Sequence, residues 1–184
     1  MNFSTLTKLL LAGTIAAALL PASASAADRA ALERDARSAL QKLTNTVPAA
    51  KSLSASAAAV LVFPKVTKAG LGVGGQYGDG VLFRQGKVAG YYNTSGASFG
   101  LQAGAQQFGY AMFMMNDKAL GALSANEGFE VGVGPSVVVL DEGKAKTLTT
   151  TTAKDDIYAF IFGQKGLMAG LGVQGNKITK INPK

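Results

Sequence analysis

The pentapeptide Ala-Gly-Leu-Gly-Val occurs twice, at Ala69 to Val73 and at Ala169 to Val173, each time inside a run where glycine alternates with apolar residues. Period-two alternation belongs to a strand, and glycine in a strand forfeits side-chain packing and costs backbone entropy. The chain must therefore fold so that something passes close to these segments. On one face Gly70, Gly72 and Gly74 lie together, and Gly170 and Gly172 do the same in the second copy. Two arrangements satisfy this: tight packing or sharp curvature of the sheet, or a groove open to a lipid tail.

Residues 1–26 read as a secretory signal, with Lys8, an apolar run from Leu9 to Leu20, Pro21, and Ala24-Ser25-Ala26 ahead of a cleavage expected after Ala26. The run is shorter than the roughly 20 apolar residues of a membrane span, and no later stretch reaches that length without glycine or charge. Residues 27–184 are expected to form a single domain, periplasmic or secreted, with no transmembrane span after cleavage. That segment carries 17 basic and 11 acidic residues, a net charge of +6. A basic exported chain meets anionic lipid and envelope polymers rather than nucleic acid. With no cysteine there is neither a disulfide framework nor a cysteine-linked lipid anchor.

From Asp28 to Leu43 the residues Leu32, Ala36, Ala39, Leu40 and Leu43 share one helical stripe, with Arg29, Arg34, Arg37 and Lys42 largely off it. Asp28 is expected to cap this amphipathic helix. A second helix is expected from Pro48 to about Ala59, and a third from Asn116 to Ala125 with Ala119, Leu120 and Leu123 facing inward. Strands are expected near Val60–Phe63, Ala69–Tyr77, Gly80–Arg84, Lys87–Thr94, Ala97–Ala105, Gln107–Met114, Gly128–Gly134, Ser136–Leu140, Ile157–Phe162, Leu167–Gln174 and Lys177–Ile181. Turns are read at Gly78-Asp79-Gly80, Gln85-Gly86-Lys87 and Asp141-Glu142-Gly143. The class is α+β: a strongly curved antiparallel sheet or barrel-like sandwich with about three helices, two N-terminal and one mid-chain.

Catalysis finds little support. The absence of histidine and cysteine removes the commonest general base, thiol nucleophile and soft metal ligands. Asp155-Asp156 and Asp141-Glu142 are adjacent pairs, which a strand turns to opposite faces. Gly70, Gly72 and Gly75 formally spell a dinucleotide fingerprint, but they lead toward the Gly78-Asp79-Gly80 turn and not into a helix. Neither a cofactor, a metal nor an enzymatic activity is expected. The lysines carry more information: Lys65 and Lys68 flank the first glycine strand, Lys165 precedes the second, and Lys177 and Lys180 follow it. If the repeated strands are neighbours, these cations form one basic rim, where each is worth roughly 1 kcal/mol beside an anionic membrane.

The stretches VLVFPKVTKAGLGVGGQYGDG at Val60 to Gly80, GYYNTSGASFGLQAGAQ at Gly90 to Gln106, GFEVGVGPSVVV at Gly128 to Val139 and YAFIFGQKGLMAGLGVQG at Tyr158 to Gly175 resemble the SYLF domain family. This resemblance implies a non-enzymatic domain that binds anionic, phosphoinositide-like head groups at a membrane surface. It points to Lys68 and Lys165 in the matching motifs, with Lys65, Lys177 and Lys180 nearby. It also implies a membrane-assisting role for the N-terminal helix with Arg29, Arg34, Arg37 and Lys42. The actin-binding label attached to the family is not expected to apply in a bacterial envelope. The alternative is a structural or protein-interaction module of the envelope.

Overall fold

Between Ala59 and Met114 a single tight turn interrupts an otherwise continuous pair of strands. The computed structural model describes residues 22–124, 128–140, 154–165 and 175–182. Within them, α1 (Ala22–Thr46) and α2 (Pro48–Ser56) precede β1 (Ala59–Arg84) and β2 (Lys87–Met114). Then follow α3 (Asp117–Leu123), β3 (Phe129–Glu130), β4 (Val137–Leu140), β5 (Ile157–Lys165) and β6 (Lys177–Ile181). The six described strands make one sheet in which β2 is the hub. It pairs with β1 along almost its whole length, with β6 over Tyr91–Ser95 and with β5 over Gln107–Met114. The expected α+β class with three helices and a strongly curved sheet is what the structure has, the sheet curling into a half-barrel.

The sheet departs from all-antiparallel pairing at one place. Strands β4 and β5 run parallel, Val137 opposite Ile157 through Leu140 opposite Phe160. A parallel pair needs a crossover of a dozen or so residues, and the intervening 141–156 is long enough. Nothing in the local pattern of either strand distinguishes parallel from antiparallel partners.

The Gly78-Asp79-Gly80 turn expected from composition is absent. Strand β1 runs straight through it, and β2 likewise joins three expected strands into one. The true turn is Gln85-Gly86, with φ of 51° and 75° between paired Arg84 and Lys87, the mirror-image geometry that hairpins favour. Gly78 and Gly80 serve a different purpose. A Cβ on Gly78 would lie 2.7 Å from the Lys65 carbonyl oxygen and 2.8 Å from Val66 Cγ2. One on Gly80 would lie 2.7 Å from the Val62 oxygen. The second half of β1 is thus folded over the first with inner faces opposed, and the bend falls at Gly70–Gly74, where a Cβ on Gly70 would strike the backbone of Val73 and Gly74. For the first repeat, close packing and curvature account for the glycines; the second repeat, and the strand expected at Leu167–Gln174, lie outside the described residues, as does the turn at Asp141-Glu142-Gly143.

Both faces of the sheet are covered near the strand ends, which is why Ala59–Phe63, Tyr110–Met114 and Ile157–Ile161 are unbroken buried runs. Inside the curl, Leu61, Phe63, Val66, Leu82, Phe108, Tyr110, Met112 and Ile178 pack with Ala119 and Leu123 of α3. On the outer face, Ala36 and Leu43 of α1 and Ala49, Ala50 and Leu53 of α2 cover Val60, Val62, Val81, Phe83, Phe113 and Phe160. The predicted stripe of α1 faces the sheet, with Leu32, Ala39 and Leu40 also packed there. Asp28 does not cap this helix, since the alanine-rich Ala22–Ala27 already lies within it. Asn116 does cap α3, its side-chain oxygen accepting from the Ala119 amide at 3.0 Å. Pro64 sits at a register shift between Phe63 and Val66, where a missing N–H costs the ladder nothing.

Candidate functional site

Sequence spacing alone separates Lys68 and Lys165 by nearly a hundred residues, yet the register brings their backbones together. Lys68 pairs with Gln106 and Lys165 with Gln107, so they attach to consecutive positions of β2 from opposite sides. Lys65 lies on the same arm of β1 and is exposed. Lys177 and Lys180 attach farther along β2, opposite Ser95 and Tyr92, and both are exposed. The lysines therefore flank the bend on its two arms: Lys65, Lys68 and Lys165 on one, Lys177 and Lys180 on the other.

Lys68 differs from Lys65, Lys177 and Lys180 in being only 4% exposed. Alternation beyond Pro64 turns Val66, Lys68, Gly70, Gly74, Gln76, Gly78 and Gly80 to the inside of the curl. Its cross-strand partner Gln106 is 3% exposed, and the Gln106 side-chain oxygen has no hydrogen-bond partner among the described groups. A buried acceptor left open is uncommon enough to mark a place where a further donor belongs.

The interior holds a second polar group that sequence reasoning did not single out. The Tyr110 hydroxyl donates to Thr94 Oγ1 at 2.7 Å, Asn176 Nδ2 approaches the same oxygen at 3.5 Å, and Gln76 Nε2 donates to Asn176 Oδ1. Burial lifts the Tyr110 phenol far above its usual range, outweighing the opposing hydrogen bonds from Thr94 and Asn176. These residues join β1, β2 and the approach to β6. The available signal was polar residues recurring at inward positions of strands whose other inward residues are apolar.

The cations of α1 divide into two kinds. Arg37 lies 4.8 Å over the Phe83 ring and donates to the Gly86 carbonyl at 2.9 Å, while Arg29 lies 5.7 Å over Tyr91. Tyr91 also donates to Glu33, and burial together with that carboxylate raises its phenol. Arg34 and Lys42 are exposed, Arg34 standing 3.9 Å from Asp35. A cleft of about 520 Å³ opens where α1 and α2 meet the hairpin, lined by Arg37, Leu40, Thr44, Ala57, Phe83 and Gly86. The helix is thus docked on the sheet by its apolar stripe and by two guanidinium groups on aromatic rings.

The paired carboxylates hold structure. Asp156 accepts from Lys118 Nζ at 2.8 Å, Asn116 Nδ2 at 2.7 Å and the Ser136 amide at 2.9 Å, tying α3 to the start of β4. These bonds, led by Lys118, hold its carboxyl far below the usual carboxylate range. The Asp155 amide donates to the Tyr158 hydroxyl at 2.9 Å. Asp141 and Glu142 lie outside the described residues. Among the described residues no three acidic side chains gather to hold a metal ion, and no helix is long and apolar enough to cross a membrane.

No curated protein matches the chain. Residues 95–183 match a family model described as Ysc84, Las17-binding protein actin regulator, a stretch that takes in most of β2, α3 and every strand after it. Over that stretch, a little under half of the chain, the match is to the Ysc84 family, the SYLF type that the glycine-rich motifs resemble.

Proposed function

We propose that this domain binds anionic phospholipid head groups at a membrane surface of the cell envelope. The observation that carries the proposal is that the lysines on the two arms of the bend include three exposed ones. Exposed Lys65, Lys177 and Lys180 supply the general attraction. At about 1 kcal/mol per cation near an anionic leaflet, three of them amount to roughly two decades of affinity. Catalysis is not part of this function.

The test is sedimentation with vesicles of phosphatidylcholine alone or mixed with phosphatidylglycerol or cardiolipin, at low and physiological salt. Binding confined to anionic vesicles and weakened by salt is expected. Replacing Lys65, Lys177 and Lys180 by Gln should lower it about a hundredfold. Absence of binding to every vesicle at low salt would sink the proposal and turn attention to envelope proteins as partners.

A further inference from the structure

We infer that the domain meets the membrane with the convex outer surface at the bend of β1, through Val73 and Tyr77, and not with helix α1. The inference rests on the lipid-binding function just proposed and assigns the face that performs it.

Among its described side chains, helix α1 leaves no apolar face open for insertion. Leu32, Ala36, Ala39, Leu40 and Leu43 are packed on the sheet, and Arg29 and Arg37 are engaged over Tyr91 and Phe83. A helix binds a bilayer through its apolar face, so α1 would have to abandon its share of the outer core before it could do so. The bend offers the opposite situation. Val73 is 64% exposed and Tyr77 60%, and with Val133 they are the large hydrophobic side chains that stand open among the described residues. Four residues apart on one strand, Val73 and Tyr77 share a face about 13 Å long. Between them Gly75 keeps the surface low, the nearest atom to a Cβ there being the Gly96 oxygen at 3.7 Å.

The same curl that opposes the inner faces of β1 turns this face outward at its tip. A projecting valine and tyrosine match the head-group layer, where an amphipathic ring sits with its apolar body down and its hydroxyl in water. Charge follows the same geometry. Tyr77 pairs with Ser95 and Ser95 with Lys177, which sets Lys177 about 10 Å from Tyr77 in one row across the sheet. That row continues to Glu130, its one acid, while Lys65 stands on the other arm.

The chain has no cysteine, so single cysteines can report position. Val73→Cys, Tyr77→Cys and, on the exposed side of α1, Ser38→Cys would each carry an NBD fluorophore and be mixed with vesicles of phosphatidylcholine with or without phosphatidylglycerol. Emission at positions 73 and 77 should shift to the blue and rise several-fold on anionic vesicles alone, with position 38 unchanged. An unlabelled Val73→Ser, Tyr77→Ser double variant should lose at least tenfold in sedimentation while its melting temperature holds. If the protein sediments with anionic vesicles but only position 38 responds, or none does, the bend is not the contact and the inference is overturned while lipid binding stands. If nothing sediments, lipid binding itself fails and takes the inference with it.

Discussion

Replacing Gly78 by alanine adds one methyl group where the two halves of β1 lie face to face. The new Cβ would stand 2.7 Å from the Lys65 carbonyl oxygen, 2.8 Å from Val66 Cγ2 and 3.0 Å from Val66 Cα, where ordinary contact begins near 3.4 Å. Two of these three atoms are backbone, so relief requires one arm of the strand to move by roughly 0.7 Å against a closely packed interior. Overpacking of this kind costs about 1–3 kcal/mol. Alanine in an accessible backbone conformation returns about 0.4–1 kcal/mol by restricting the unfolded chain. The net expectation is a loss of about 1–2 kcal/mol, or a melting temperature lower by about 2–8 °C for a domain of this size. Gly75→Ala is the internal control: its Cβ meets only the Gly96 oxygen at 3.7 Å and its φ is not positive. That variant should gain about 0.4–1 kcal/mol. Urea unfolding followed by far-ultraviolet circular dichroism measures both. A Gly78→Ala midpoint at or above the wild-type value, or equal shifts for the two variants, would refute the packing of β1 on itself. It would restore Gly78-Asp79-Gly80 as the turn its composition suggests.

Asp156→Asn should destabilise the junction of α3 and β4, and the effect should depend on pH with a definite sign. Because Lys118, then Asn116 and the Ser136 amide hold the folded carboxyl below its unfolded value, the contribution is complete above the unfolded pKa of about 3.9. It is lost as pH falls from there toward the folded value. Stability difference curves between wild type and variant should be flat near neutrality and converge below about pH 4; a difference that grows with acid would contradict the assignment. Tyr110→Phe should cost about 0.5–1.5 kcal/mol by removing the hydrogen bond to Thr94. In alkaline absorbance titration the last phenol of the native protein to ionise should be missing from the variant's curve.

Much of the architecture was legible because it is written in short-range pattern. The stripe Leu32, Ala36, Ala39, Leu40 and Leu43 gives the docked face of α1, Asn116 caps α3, and strand β6 falls on Lys177–Ile181 as read. Lys68 and Lys165 were legible as two motif positions but not as attached to consecutive positions of β2, since cross-strand register is a long-range property. Lys68 illustrates the gap: its charge is plain in the sequence, and its burial beside Gln106 is not.

The sequence by itself determined that the chain makes a glycine-punctuated, histidine-free and cysteine-free α+β domain with an amphipathic first helix and a basic surface. Those properties follow from composition and from periods of 3.6 and two, which act within a few residues. Only the tertiary structure decided that Gly78 and Gly80 admit another stretch of the same strand instead of turning the chain, and that β4 lies parallel to β5. It also decided that α1 lies down on the sheet and that Val73 and Tyr77 stand out at the bend. Each of these depends on which distant surface arrives at a given residue, and a glycine looks the same in a sequence whether it makes room for a turn or for a neighbour.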